Sequence, residues 1–171
     1  MTSAELLSDA FDRIHHIVNG VLDDLTPDEL TYRIDDHANS IAWLVWHLSR
    51  VQDDHVADVA RCEQRWFAGG WAQRFDLPFD QAATGYAQRV EEVPQVQVSA
   101  ELLRGYLGEV HQQAVDFVKT LTDADLDRIV DTSWDPPVTL GVRMISVISD
   151  SLQHAGQAAY VRGIAQRRPT A

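Results

Sequence analysis

The spacing of apolar residues along the chain predicts four long helices. From about Ser3 to Leu25, the residues Leu7, Phe11, Ile14, Val18, Val21 and Leu25 recur at three- and four-residue steps, with Asp9, Asp12, Arg13 and Asp23 between them. That period turns one stripe of a helix toward a core and leaves the opposite face wet. Thr26-Pro-Asp-Glu29 follows, pairing a capping threonine with a proline at the first helical position and a glutamate three residues on. It announces a short helix to about Arg33. Ser40 caps a second long helix, about Ile41 to Arg65, whose stripe includes Ile41, Leu44, Leu48, Val51 and Val59. Ser99 begins a third, to about Leu121, with Leu103, Tyr106, Val110, Phe117 and Leu121 inward. Thr139 caps a fourth from Leu140 to about Gly163, and Arg162, Arg167 and Arg168 suit the negative end of its dipole.

Between the second and third helices, from Trp66 to Val98, the period breaks. Trp66-Phe-Ala-Gly-Gly-Trp71 and Phe75-Asp-Leu-Pro-Phe79 are aromatic and rich in Gly and Pro, and a short helix is expected near Gly85 to Glu91. Long loops in compact domains are either functional or disordered, and this many aromatics argue against disorder. The crossover therefore reads as a plug on the bundle end, as the wall of a substrate pocket, or as both. Two prolines in Ser133-Trp-Asp-Pro-Pro137 forbid a continuous helix before the last one. The expected fold is all-α: a four-helix bundle with a long aromatic crossover, one domain over residues 1–171.

Composition narrows the partners. Lys+Arg 14 against Asp+Glu 26 gives a net charge of −12, which repels a phosphate backbone and argues against nucleic acid. No apolar run approaches the roughly 20 residues that span a bilayer, so no membrane partner is expected. The acidic start Met-Thr-Ser-Ala-Glu lacks the features of a signal peptide, and Cys62, the single cysteine, permits no internal disulfide. Both fit a cytoplasmic protein. The chain is expected as a monomer or homodimer.

The candidate chemistry lies on the last helix. Asp150 and His154 are four residues apart, which on a helix turns one side chain about 40° from the other and moves it about 6 Å along the axis. A carboxylate and an imidazole so placed can hold one side of a divalent metal. The commoner meaning of that spacing is a surface pair. Here, however, the two residues lie along the edge of an apolar face, where an unpaired carboxylate is costly. A third ligand must come from another helix. His47, on the flank of the second helix's stripe, is one candidate; His55, nearer the stripe centre, is its rival. His15, His16, His37 and His111 read as surface or boundary residues. Arg143, seven residues before Asp150, could pair with an acid or orient an anionic substrate group. Gln157, one turn beyond His154, could orient a ligand or a substrate.

Three segments give the chain a family resemblance: Trp46-His-Leu-Ser-Arg50, Gly70-Trp-Ala-Gln-Arg-Phe75 and Asp150-Ser-Leu-Gln-His-Ala-Gly-Gln157. At these residues it resembles the DinB-like metal-dependent helical proteins, and most closely the actinobacterial branch of mycothiol-dependent S-transferases and maleylpyruvate isomerase. The resemblance implies a four-helix bundle whose metal is held by one histidine of the second helix and a pair four apart on the last. Carried over, the ligands are His47, Asp150 and His154, with Asp150 where many members have a histidine. It further implies an enzyme that joins a low-molecular-weight thiol, mycothiol, to an electrophile, with a divalent metal as cofactor, zinc being the first expectation. No catalytic residue beyond the metal site is implied, and Cys62 takes no part. On that reading Trp66, Trp71, Phe75 and Trp134 wall the electrophile pocket, with Arg143 and Gln157 as further substrate contacts. The alternatives are a metal-dependent hydrolase and a metal-stabilised binding module without turnover.

Overall fold

Each long helix begins where the sequence supplies a cap. In the computed structural model, which describes residues 1–168, the Thr2 side chain accepts from the Glu5 N–H and starts α1 (Ser3–Leu22). Thr26 and Glu29 form the same reciprocal box at α2 (Pro27–Leu30). Ser40 caps α3 (Ile41–Ala60) through the Trp43 N–H. Two short helices follow, α4 (Arg65–Ala68) and α5 (Trp71–Phe75). Ser99 caps α6 (Ala100–Val118), and Thr139 caps α7 (Leu140–Ala165). Such caps satisfy backbone donors that a helix start otherwise leaves open, typically worth about 1 kcal/mol each. Among the described residues the sheet content is one small antiparallel pair, β1 (Ile129–Asp131) and β2 (Val138–Thr139). The last three residues of the expected 1–171 domain lie outside the described residues.

Several boundaries differ from the periodic pattern. The second long helix stops at Ala60 rather than Arg65, because Arg61 turns left-handed (φ 56°) and the Cys62 N–H donates to the Ala57 carbonyl. The chain is then drawn back toward the helix it has left: the Arg65 and Trp66 N–H groups both donate to the Asp53 carboxylate at 2.8 Å. The first helix ends at Leu22 rather than Leu25, before a left-handed Asp24 (φ 56°). The helix expected near Gly85–Glu91 does not form. Gly85 (φ 89°) and Ala87 (φ 54°) are both left-handed there, and a 3-10 turn appears later, at Val93–Gln95. Arg162, the basic residue in the last turn of α7, also donates to the Gly20 and Asp23 carbonyls and closes the end of α1.

In the bundle α3 packs between α6 and α7, and α1 packs between the same two helices on the opposite side. Phe11, Leu44, Leu107 and Met144 meet in the core, each at most 1% exposed. Burying one such side chain is worth roughly 1.5–3 kcal/mol. The first half of the crossover packs as an aromatic knot: Trp66, Trp71 and Phe75 surround Tyr106 of α6 at centroid distances of 5.2, 5.8 and 5.7 Å. Beneath it lies a buried polar network. The Tyr106 hydroxyl donates to Asp53 (2.8 Å), and Arg50 donates to the Gln64 side chain (2.9 Å) and to the Ala83 carbonyl (3.1 Å). Arg50 and Asp53 both have no exposed surface. Burial of that kind is tolerable because every charged group finds partners. The same network fixes the second half of the crossover, Ala83 onward, against α3.

Candidate metal centre

The seam between α3 and α7 brings together the three residues that the family resemblance implied. One ligand-capable atom from each of His47, Asp150 and His154 lies within 4.8 Å of the others. His47 is buried, while Asp150 and His154 are partly exposed at the mouth. The imidazoles of His47 and His154 meet edge to face with centroids 4.8 Å apart. Trp43, one turn before His47, stacks on it at 4.7 Å and is itself held by donation to Gln88 (2.7 Å).

Hydrogen bonding fixes which nitrogens can coordinate. His47 Nδ1 lies 2.6 Å from the Thr84 carbonyl oxygen. A carbonyl only accepts, so Nδ1 carries the proton and Nε2 keeps its lone pair. His154 Nδ1 pairs with the Gln157 side-chain oxygen at 2.9 Å, which leaves His154 Nε2 toward Asp150, 3.5 Å away. Bonds of this kind, from the remote imidazole nitrogen to a carbonyl, orient metal-binding histidines. Burial lowers the pKa of His47, partly opposed by the Thr84 bond, and so favours its neutral, ligating form. The hydrogen bond to Asp150 raises that of His154 against the effect of burial. The Asp150 carboxyl is held below its usual range although burial pushes it up, because His154 and the other nearby histidines favour the anion.

A divalent metal fits this donor set. The test is Asp150 Oδ2, which is buried and has no hydrogen-bond partner. An orphaned carboxylate oxygen beside two imidazole Nε2 atoms is what a bound cation would satisfy. Two nitrogens and an oxygen from three side chains match a catalytic arrangement with room for a further ligand.

Two cavities meet at this centre. The smaller, about 430 Å³, is lined by polar groups, among them His37, Asn39, Gln88 and His154. The larger, about 620 Å³, is more apolar, with Val51, Val138, Val142 and Val147 in its wall and Trp134 at its edge. His47, Tyr86 and Asp150 belong to both linings. His55, the rival ligand in the sequence, lies outside the cluster and lines only the larger cavity. Arg143 lies there too, donating to His55 Nδ1 (2.7 Å) and to Asp131 (2.8 Å). Of the four aromatics expected around an electrophile, Trp134 is at the larger cavity, 68% exposed. Trp66, Trp71 and Phe75 are not: they are buried in the aromatic knot and line neither cavity. Their apolar size read as pocket wall, but the buried Tyr106 gives them a packing partner first. His111 pairs with Asp12 across the α1–α6 interface (2.8 Å) and stacks on His15 (4.2 Å), away from the centre. The sequence pattern assigned Trp43, Thr84, Gly85 and Gln88 no role at the site. Trp43 had a signal, four residues before His47; a backbone carbonyl 37 residues away had none.

The chain is a helical bundle of the DinB-like class, with a candidate His–Asp–His metal site across two of its helices. Within that class the chain belongs to the mycothiol S-transferase family, whose profile matches residues 6–166. Among solved structures it is similar to a conserved protein from Enterococcus faecalis, with a TM-score of 0.91 and 27% identity over 98% of this chain and 99% of that one. No curated protein matches it. Among the described residues no helix is long and apolar enough to cross a membrane.

Proposed function

We propose that this protein conjugates a low-molecular-weight thiol, mycothiol, to a small electrophile, using a divalent metal, zinc, held by His47, Asp150 and His154. The observation that carries the reading is the junction of two cavities at a prepared donor set with one orphaned carboxylate oxygen. When bound, the cation would supply the acidity that turns a thiol into its nucleophilic thiolate at neutral pH. The chain's own residues do the rest. Thr84 and Gln157 hold the two imidazoles in the tautomer that presents Nε2. Trp43 covers one face of His47 and keeps bulk water from it. The polar cavity offers Asn39, Gln88 and His37 to the hydroxyl-rich body of a thiol such as mycothiol, and the apolar cavity receives its reaction partner. A thiol substrate needs a compartment that keeps thiols reduced, which supports a cytoplasmic location. Cys62 is exposed, lines neither cavity, and has no role in this scheme.

Protein purified without a histidine tag should carry about one equivalent of metal and consume an electrophile only when thiol is present. His154→Ala should lose both metal and turnover, and Cys62→Ser should keep both. Consumption that depends on water rather than thiol would replace the reading with hydrolysis. Metal that raises the melting temperature without turnover on any thiol–electrophile pair would replace it with a binding module.

A further inference from the structure

Four histidines line the two cavities, and side-chain hydrogen bonds set the ring orientation of three of them, His47, His55 and His154. His47 and His154 bond through Nδ1 to oxygen acceptors, which turns Nε2 of each ring toward the cluster. His55 is the reverse. Its Nδ1 lies 2.7 Å from Arg143 Nη1. A guanidinium has donors only, so His55 Nδ1 must accept, and the ring proton must sit on Nε2. Arg143 is fixed in turn by Asp131 at 2.8 Å. His55 lines the larger cavity, and its Nε2 has no partner among the described residues and is not one of the buried, unpaired atoms. A second proton on Nδ1 would face an arginine N–H, so the ring is held neutral, with one donor. Both burial and the neighbouring Arg143 charge act in the same direction, lowering the pKa of His55.

We propose that His55, held by the Asp131–Arg143 pair, is a fixed hydrogen-bond donor for the carbonyl oxygen of a neutral α,β-unsaturated carbonyl electrophile seated in the larger cavity. A neutral imidazole presenting one N–H can polarise a carbonyl without giving up its proton. The assignment rests on the conjugation reading above and deepens it. The thiolate sulfur pair forms a bond to the β-carbon. The C=C π pair moves toward the carbonyl, and the enolate oxygen accepts the His55 hydrogen bond. The α-carbon then takes from solvent the proton that the thiol released, so thiol plus enone becomes a thioether with no redox change. The wall supports both the class and its charge. Val51, Val138, Val142 and Val147 favour an apolar body, and the Trp134 ring is exposed beside them. Arg143 is already paired with Asp131, and Asp54 adds negative charge to the wall, so an anionic electrophile is disfavoured.

Infrared spectra of 4-phenylbutan-2-one, a saturated ketone that cannot be attacked, read the hydrogen bond without turnover. Bound to wild-type protein its carbonyl band should shift to lower frequency. His55→Phe should abolish that shift, and His55→Gln, whose amide still donates, should retain part of it. In parallel, His55→Phe should slow mycothiol addition to 4-phenyl-3-buten-2-one on the order of 10²-fold, the usual effect of removing one oxyanion donor. Displacement on benzyl chloride, where no carbonyl oxyanion develops, should fall far less, so the ratio of the two rates drops. A carbonyl band that does not shift in the wild type, a shift that survives His55→Phe, or equal losses on both electrophiles would overturn the assignment. Absence of thiol conjugation with any electrophile would instead remove the parent reading, while the infrared shift still reports on His55.

Discussion

Replacing Gly85 by alanine tests how His47 is held. A Cβ built at Gly85 falls 2.6 Å from His47 Nδ1, 3.2 Å from His47 Cγ and 3.1 Å from the Trp46 ring. None of these atoms is free to move. His47 is stacked on Trp43 and bonded to Thr84, and Trp46 is 1% exposed. Gly85 also sits at φ 89°, where an alanine is strained by roughly 1–2 kcal/mol. Pushing the imidazole off the Thr84 carbonyl leaves a buried donor unsatisfied, at roughly 1–3 kcal/mol. The sum is about 2–5 kcal/mol, which for a chain of this size lowers Tm by roughly 4–20 °C. Metal affinity should fall about 10–100-fold, the usual result of disturbing a partner of a metal-binding histidine. Calorimetric melting and competition against a chromogenic chelator measure the two quantities. Gly20→Ala is the control, because nothing lies within 4 Å of its added Cβ; it should stabilise α1 by about 0.5–1 kcal/mol and leave metal binding alone. A Gly85→Ala protein with wild-type Tm and wild-type metal affinity would refute the reasoning.

Two other perturbations follow from the polar interior. Arg50→Met removes the cation from beside Asp53 and should cost about 3–5 kcal/mol in a urea titration, more than most single changes, because the carboxylate stays buried. A cost under about 1 kcal/mol would mean that the backbone and Tyr106 donors satisfy Asp53 alone. Stability of the metal-free protein should fall as pH drops from 7 toward 5, read as Tm in chelator. His15, His47 and His55 all have pKa values below the ordinary 6.5 in the folded state. Their contribution is complete above 6.5 and declines as pH falls below it, since the unfolded chain takes up protons first. His154 shifts the other way and offsets part of the loss. A Tm that rises steadily across that interval would contradict the burial of these rings.

Local order was legible because it is encoded locally. The three- and four-residue spacing of apolar groups and the capping residues Thr26, Ser40, Ser99 and Thr139 act within one or two turns, so these helix starts could be read from neighbours alone, while the Thr2 cap of α1 emerged from the structure. Asp150 and His154 could be paired for the same reason. Helix ends were harder, because a left-handed residue such as Arg61 and a carboxylate such as Asp53, which reaches twelve residues ahead, decide them together. What only the tertiary structure decided are contacts between distant segments. The rotation of α3 against α7 puts His47 in the cluster and His55 outside it. Thr84 sets the tautomer of one imidazole from 37 residues away, and Arg143 sets that of another from 88 away. Periodicity says how deeply a side chain is buried; which atom faces it, and therefore what chemistry it can perform, depends on the partner that the fold brings opposite.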